Sequence, residues 1–267
     1  VLNRFFLSPW SHIYCIVTVF ARHELKYLLT RKQKNAILES MGPYMSPDEY
    51  GPTTIRNIYF DTGSFRLIRR SMEHPAYKEK LRLRSYRPST AADPVFVELK
   101  KKYKAVVYKR RLLMPQAKAM NCLCSGKPLP LDSQIAREID YFCSYYRGLA
   151  PTVFLSYDRQ AYQAQDGSGF RVTFDENILS RREDFSFDRG IYGTPLLKKG
   201  MTLMEIKTPG GIPLWMTHCL TDNRIFKTSF SKYATAYQNT ILCDGEGGVL
   251  RLSLIHISEP TRLLSIS

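Results

Sequence analysis

Basic and apolar residues alternate in the segment Tyr77–Tyr86, which reads Tyr-Lys-Glu-Lys-Leu-Arg-Leu-Arg-Ser-Tyr. Successive side chains of a strand point to opposite faces, so the basic residues share one face and the leucines share the other. Like charges on neighbouring same-face positions repel, and such a row is costly unless an anion or solvent compensates it. The pattern therefore indicates either an anion-binding surface or an exposed basic face. The basic residues are Lys78, Lys80, Arg82 and Arg84.

A second pattern, Glu-x-Lys, occurs in three other segments and places a carboxylate and an ammonium group on one face of a strand. Arg159 and Arg171 lie in two further alternating segments. Carboxylate oxygens suit Mg²⁺ and Mn²⁺, and arginine forks match phosphate oxygens bidentately. This consistency over six segments favours chemistry on a polyanion with a divalent metal over an exposed basic face. The pairs are Glu24 and Lys26, Glu98 and Lys100, and Glu205 and Lys207.

Period-2 alternation dominates the chain and helical segments are fewer, which predicts one α+β domain. A sheet of about eight strands can close on itself with room for one ligand. We therefore expect a closed antiparallel eight-stranded β-barrel with helices packed outside and charged faces inside. The predicted strands are 19–28, 53–61, 77–86, 94–101, 103–113, 152–163, 169–175 and 201–208. The predicted helices are 31–41, 65–72, 133–147, 214–221 and 231–242, begun by Thr30, Ser64, Asp132, Pro213 and Ser231 respectively.

The composition of the chain excludes several classes of protein. Its 267 residues are 44% hydrophobic, which excludes intrinsic disorder. Its net charge of +15 favours an anionic partner. No apolar run reaches the length of about 20 residues that a transmembrane helix needs, so we expect no transmembrane segment, although a membrane partner stays open. The six scattered cysteines favour reduced thiols and a cytoplasmic location. Nucleic acid is disfavoured because the basic residues alternate with hydrophobic ones along strands instead of interleaving with exposed aromatic side chains.

The two ends of the chain differ from the rest. Residues 1–16 show no clear periodicity, and we expect a non-native or disordered leader there. Residues 249–267 look like a translated sequencing-adapter tail, which we expect to be non-native; an ordinary amphipathic extension is the alternative. The predicted domain is 17–248, and it keeps almost all of the positive charge.

Eight short motifs, in order along the chain from about Phe20 to Leu242, give the sequence a resemblance to a known family. It resembles a VTC domain, the polyphosphate-polymerase branch of the CYTH-like triphosphate tunnel metalloenzymes. Each motif is weak alone, and their order carries the resemblance. They are Glu24–Tyr27, Asn57–Thr62, Lys80–Ser85, Val97–Lys100, Ser156–Arg159, Arg171–Asp175, Glu205–Lys207 and Phe230–Tyr233.

The resemblance implies a role for individual residues. It implies that ATP and polyphosphate bind inside a tunnel, that Glu205 holds Mn²⁺ or Mg²⁺, and that Ser231 and Lys232 contact phosphate near one mouth. Lys80 and Lys207 would also bind substrate, although charge pairing between strands explains Lys207, Glu98 and Glu24 equally well. The residues that would bind the triphosphate and the growing chain, and so act in catalysis, are Lys26, Arg82, Arg84, Lys100, Arg159 and Arg171.

One departure from the family pattern bears on the reaction. The tunnel triphosphatases begin with Glu-x-Glu-x-Lys, whereas this chain has Arg22 in place of the first glutamate of that run. The loss of a carboxylate makes a reaction in which the protein activates a water molecule a weaker interpretation. It favours a metal-dependent polyphosphate polymerase that uses ATP. The alternatives are a tunnel triphosphatase and a non-catalytic module that binds polyphosphate, inositol phosphate or another polyanion. Asp61 is expected to be mainly structural, with metal ligation as its alternative role.

Overall fold

The alternating segments of the sequence form strands, and every strand pairing is antiparallel. A computed structural model describes residues 15–20, 23–104 and 106–242. The strands within these ranges are β1 Cys15–Phe20, β2 His23–Thr30, β3 Met45–Pro47, β4 Thr53–Asp61, β5 Tyr77–Ser85, β6 Pro94–Tyr103, β7 Val106–Pro115, β8 Ala150–Ala164, β9 Arg171–Arg181, β10 Thr194–Pro195, β11 Met201–Thr208 and β12 Lys227–Thr228. The helices are α1 Arg31–Met41, α2 Arg66–Met72, α3 Gln116–Ser125, α4 Gln134–Tyr145, α5 Leu214–Asp222 and α6 Lys232–Ala236, and α6 continues as a π-helical segment Tyr237–Leu242.

Side-chain caps fix the start of several helices. Thr30 and Gln33 form a reciprocal capping box at the start of α1. Ser133 caps α4, one residue after the predicted Asp132, and Ser231 caps α6 as predicted. Ser64 does not cap α2. Thr62 Oγ1 accepts a hydrogen bond from the backbone N–H of Arg66, and the buried Asp61 accepts from those of Leu67 and Ile68.

The predicted closed eight-stranded barrel is wrong. Among the described residues the strands form one 12-stranded sheet in the order β1-β7-β6-β5-β4-β8-β9-β11-β2-β12, with β3 paired to β8 and β10 to β9. Closure of the barrel would require β7 to pair with β2, but each of these edges carries another strand. β1 pairs with β7 over its six residues, and β12 occupies the edge of β2 at Lys26 and Tyr27, so β7 and β2 do not pair and the ladder of hydrogen bonds stays open.

Helices α1, α3, α4 and α5 pack on the outer face of the curved sheet, whereas α6 lies on its concave side, so the prediction that the helices pack outside is wrong for α6. Three apolar clusters lie between the helices and the sheet. The first lies between β4 to β7 and helices α3 and α4, and includes Leu83 and Ile139. The second lies under α1 and α5, and the third joins β4 and β8 to α2 and α6. In the first two clusters the apolar faces of the strands point to the outer helices, so the opposite, polar faces line the inside of the curve. The third cluster lies on that inner face, under α6.

The predicted leader and tail fall mostly outside the described residues: 1–14 and 243–267 are not described, and β1 begins at Cys15. In the described part of the chain, no helix combines the length and the apolar character that crossing a membrane requires. The described cysteines whose side chains are placed, Cys122, Cys124, Cys143 and Cys219, are free thiols.

Candidate functional site

The concave side of the sheet encloses a cavity of about 380 Å³. Side chains from β2, β4, β5, β6, β7, β8, β11 and α6 line it, so strands from both halves of the sheet contribute. Ten of the lining residues are Lys or Arg and two are Glu, which leaves a strong excess of positive charge facing one small volume. The basic residues are Lys26, Lys80, Arg82, Arg84, Lys100, Lys109, Arg111, Arg159, Lys207 and Lys232, and the acidic residues are Glu24 and Glu205.

Glu98 is the buried centre of the first group of cations. Its side chain is 1% exposed and accepts from Arg82 Nη2 at 2.7 Å, Arg111 Nε at 2.8 Å and Lys109 Nζ at 3.0 Å. Burial alone would raise the pKa of Glu98, but Arg84, Arg82, Lys109 and Arg111 outweigh it and hold that pKa well below its ordinary value. Glu98 therefore fixes Arg82, Arg111 and Lys109 in place beside the cavity.

A second group of cations surrounds two carboxylates on neighbouring strands. Arg159 Nε lies 2.6 Å from Asp175 Oδ1, and its Nη2 lies 3.2 Å from Glu205 Oε2. Lys232, from α6, reaches the same two groups at 2.5 Å and 3.2 Å. Burial opposes ionisation of both carboxyl groups, yet these cations lower the pKa of each. The arrangement holds α6 against β9 and β11 by charge.

Glu24 connects strands that are distant in the sheet order. It lies 3.6 Å from Lys26 on its own strand β2 and 3.6 Å from Lys100 on β6. Burial would raise the pKa of Glu24, but Lys100, Lys26 and Lys207 bring it down to about 2. This contact shows that the sheet curves far enough for β2 and β6 to face each other across the cavity.

Lys80 is the least compensated cation of the lining. Its Nζ donates to Ser231 Oγ at 3.4 Å and lies 6.0 Å from the ring centre of Tyr233, and among the described residues no carboxylate lies within 4.0 Å of it. Burial, followed by repulsion from Lys26 and Lys100, lowers the pKa of Lys80 to about 7. The pKa of Lys109 is also lowered to about 7, with burial as the main cause. An anion in the cavity would stabilise the protonated form of both.

Three tyrosines orient the arginines and α6. Tyr59 OH accepts from Arg82 Nη1 at 2.8 Å, and Tyr157 OH accepts from Arg84 Nη2 at 3.2 Å. Tyr233 stacks on Tyr59 with ring centres 4.7 Å apart, and its OH donates to the buried Asp61 at 2.9 Å. Asp61 thus joins β4, α2 and α6, and its four hydrogen-bond donors leave no free lone pair aimed at the cavity.

The structure brings ten of the eleven predicted site residues together in the cavity lining. The exception is Arg171, which lies at the start of β9 with its side chain 43% exposed and paired to Asp48 at 3.4 Å. It stands opposite Lys207 in the register of β11, just beyond the lining. The placement of these residues is a finding, and their roles stay a prediction.

Sequence reasoning missed two cations on β7, Lys109 and Arg111. Three successive basic residues, Lys109 to Arg111, obscure the alternation there. The structure separates them: Arg110 points outward to Glu138 on α4 at 3.0 Å, while its two neighbours line the cavity. Counting alternate positions from the apolar Leu112 would have assigned Arg110 to the outer face and its neighbours to the inner one.

The cavity lining supplies few ligands for a divalent metal. In the described part of the chain, no cluster of three or more His, Cys, Asp or Glu side chains is arranged as a metal cage. The lining does offer two carboxylates, Glu24 and Glu205, on adjacent strands β2 and β11. Mg²⁺ commonly binds through one or two carboxylates together with substrate phosphates and waters, so this pair fits a metal that arrives with a phosphate ligand.

The family model of the VTC domain matches residues 21–241 of this chain. The chain belongs to the VTC domain family. The matched range contains every residue of the cavity lining, from Glu24 to Tyr233. The VTC domain therefore includes both groups of cations and the helix α6 that supplies Lys232. A search of curated protein sequences gave no match.

Solved structures similar to this VTC domain share little sequence with it. One, described as a candidate adenylate cyclase from Bacillus halodurans, has a TM-score of 0.49 and 16% identity over 79% of this chain and 96% of that chain. A second candidate adenylate cyclase, from Vibrio parahaemolyticus, has a TM-score of 0.46 and 12% identity over 80% and 96%. A protein from Pyrococcus horikoshii has a TM-score of 0.40 and 11% identity over 81% and 98%.

Proposed function

We propose that this VTC domain is a metal-dependent polyphosphate polymerase that transfers the terminal phosphoryl group of ATP to a polyphosphate chain. The observation that carries the proposal is the lining of one cavity by ten basic side chains and two carboxylates. A triphosphate and a polyphosphate end are compact ligands with enough negative charge to balance that excess. Phosphoryl transfer needs little covalent chemistry from the protein, because positioning and charge stabilisation carry most of it.

The arginines are held in place before substrate binds. Buried carboxylates hold Arg82 and Arg159, and an amide oxygen and a tyrosine hydroxyl hold Arg84. Their guanidinium groups therefore lose little further freedom on binding phosphate. In a half-enclosed cavity these charges act at a lower effective dielectric constant than at the surface. They support stabilisation of the negative charge that shifts toward the leaving β-phosphate as the terminal phosphoryl group departs.

Glu24 and Glu205 would hold a divalent metal, Mn²⁺ or Mg²⁺, together with the phosphates. When bound, the metal would supply additional positive charge to the phosphate oxygens. The ammonium groups of Lys26 and Lys207 lie 3.8 Å and 3.6 Å from Glu205 and would turn to the phosphates as the carboxylate engages the metal.

The acid–base character of the cavity supports transfer to phosphate over hydrolysis. The pKa values of the carboxyl groups are lowered, Glu24 to about 2, so they are weak bases toward water. The terminal phosphate of a polyphosphate chain is already anionic and needs no base. One of its oxygens forms a bond to the γ-phosphorus of ATP as the bond from that phosphorus to the β–γ bridging oxygen breaks, and ADP leaves.

The test combines product analysis with variants. The purified chain is incubated with ATP and Mn²⁺ or Mg²⁺, products are sized on a gel, and free phosphate is measured. We expect long chains from the native protein and at least about a hundredfold less synthesis from Arg82→Ala and Glu205→Gln. Arg137→Ala removes an exposed arginine on α4 and is the matched control, expected to retain synthesis. Circular dichroism checks folding of each variant.

Two other product patterns would overturn the proposal. Free phosphate without chains would identify a triphosphatase and overturn the proposal. Tight binding of polyphosphate without turnover would identify a binding module and overturn it as well. If both variants fail to fold, Lys80→Gln serves in their place, because Lys80 has no ion pair to lose among the described residues.

A further inference from the structure

A block of four lysines continues the basic inner face of β5 and β6 beyond the cavity. Lys78 stands directly opposite Lys102, and Lys80 stands opposite Lys100. Residues two apart in a strand share a face, so all four side chains belong to the face that lines the cavity. Lys80 and Lys100 line it, while Lys78 and Lys102 lie one step further, toward the hairpin that joins β6 to β7.

The outer two lysines of this block are poorly compensated. Both are half-buried, and among the described residues neither has a carboxylate oxygen within 4.0 Å of its ammonium group. Lys100 is the one lysine of the block with such a neighbour among the described residues: Glu24, at 3.6 Å. Like charges directly opposite each other in a sheet are destabilising. Burial, and then Lys102, lower the pKa of Lys78, as expected for crowded ammonium groups. A feature that costs stability in the free protein is consistent with a polyanionic ligand there.

The opposite end of the cavity has a different character. There Arg82, Arg84 and Arg111 surround the buried Glu98 and are fixed by it. Planar, oriented guanidinium groups suit a phosphate group that must be held in one position. Ammonium groups on flexible stems act as mobile point charges and tolerate many positions of a phosphate. The cavity thus has a fixed arginine end and an adaptable lysine end.

We infer that linear polyphosphate leaves the cavity along the lysine block, with Lys78 and Lys102 as the residues that hold the chain outside the reaction site. The inference rests on the proposed function for the origin of the chain. A growing polyphosphate has to shift by one phosphate after each transfer, and a row of flexible ammonium groups binds every register of the chain almost equally. Short ligands such as tripolyphosphate would end before reaching this pair.

Binding measured without ATP or metal tests the inference. The double variant Lys78→Gln, Lys102→Gln is compared with the native chain for affinity to tripolyphosphate and to long-chain polyphosphate at fixed ionic strength. We expect about tenfold weaker binding of the long chain, from the loss of two partly exposed charge contacts, and an unchanged affinity for tripolyphosphate. The dependence of the long-chain affinity on salt should also flatten.

A matched control separates local from general charge effects. Lys118→Gln, Lys127→Gln removes the same charge from exposed positions in and just after α3, and should leave both affinities unchanged. Equal losses for tripolyphosphate and the long chain, or no loss for either, would overturn the inference. So would an equal loss for a single-stranded RNA that binds as tightly as polyphosphate, because the block would then be a nucleic-acid site.

The same variant distinguishes this inference from the proposed function. If the native chain makes polyphosphate, the double variant should release shorter products at a similar initial rate of ATP use. If the native chain makes none, the proposed function fails, while a length-dependent loss of binding would still support the lysine block as a polyphosphate site.

Discussion

Replacing Glu98 by glutamine removes the charge around which one end of the cavity is built. Its side chain is 1% exposed and accepts two hydrogen bonds from Arg82, at 2.8 and 2.7 Å, and two from Arg111, at 2.8 and 2.5 Å. Lys109 lies 3.0 Å away. Glutamine fills the same space but leaves these buried cations without their counter-charge.

The free-energy cost of Glu98→Gln follows from the burial of the Glu98 carboxylate. Removing one partner of a buried ion pair costs about 3–5 kcal/mol, because the remaining charges stay desolvated. In a protein of this size a loss of 1 kcal/mol lowers the Tm by about 2–4 °C, so we expect the Tm of Glu98→Gln to fall by about 6–20 °C. Asp132→Asn is the matched control: its carboxylate is 95% exposed and pairs with Arg137, whose side chain is 68% exposed. An exposed pair of that kind contributes at most about 1 kcal/mol.

The pH dependence of the free energy of unfolding gives a second, independent measure of how much Glu98 contributes to stability. Its pKa in the folded protein is well below the ordinary value of 4.5, so its contribution to stability is present above pH 4.5 and declines as the pH falls further. Urea unfolding followed by circular dichroism from pH 3 to pH 7 measures this for the native chain and both variants. The native chain and Glu98→Gln should differ most near neutral pH and converge in acid. Equal stability of the two at pH 7, or an equal loss in Asp132→Asn, would refute the reasoning.

Two further predictions concern Lys80 and the anchoring of α6. The folded-state pKa of Lys80 is lowered from 10.5 to about 7, so Lys80→Met should stabilise the free protein most below pH 7, with the gain declining between pH 7 and 10.5. Urea titrations at a series of pH values measure this, and a gain independent of pH would contradict it. Asp61→Asn should lower the free energy of unfolding by about 1–3 kcal/mol, because it weakens the hydrogen bond from Tyr233 that anchors α6. It should also weaken tripolyphosphate binding, because α6 carries Lys232. Calorimetry with Tyr233→Phe as the milder variant tests it, and unaltered binding in both would show that Asp61 does not position α6.

The sequence was sufficient for local structure wherever a strand carries its own alternation. The runs around Lys80, Glu98 and Glu205 needed no knowledge of their neighbours to be assigned a polar and an apolar face. Helix α3 was missed although Ala119, Cys122 and Leu123 are buried at helical spacing, because small side chains give a weak apolar signal and Pro115 offers no side-chain cap.

Features that depend on contacts between distant segments were beyond the sequence pattern. Whether the sheet closes depends on which strands occupy the edges of β7 and β2, and neither the short β12 nor the early start of β1 has a distinctive alternation. Arg159 and Arg171 carry the same local pattern, yet only the first reaches the cavity, because the second lies at a strand end within reach of Asp48. The hub formed by Glu98 with Lys109 and Arg111 likewise depends on the pairing of β6 with β7.

Strand β1 extends the folded domain beyond the N-terminal boundary of the family match. The family match begins at residue 21, whereas β1 ends at Phe20 and pairs with β7 from Leu112 to Val107. A chain trimmed to the family boundary would leave a row of unpaired N–H and C=O groups along β7, and such an edge recruits strands from other molecules. Self-association of a shortened chain would then be a result of trimming. Keeping the residues from Cys15 onward leaves the edge of β7 paired, as it is in the structure.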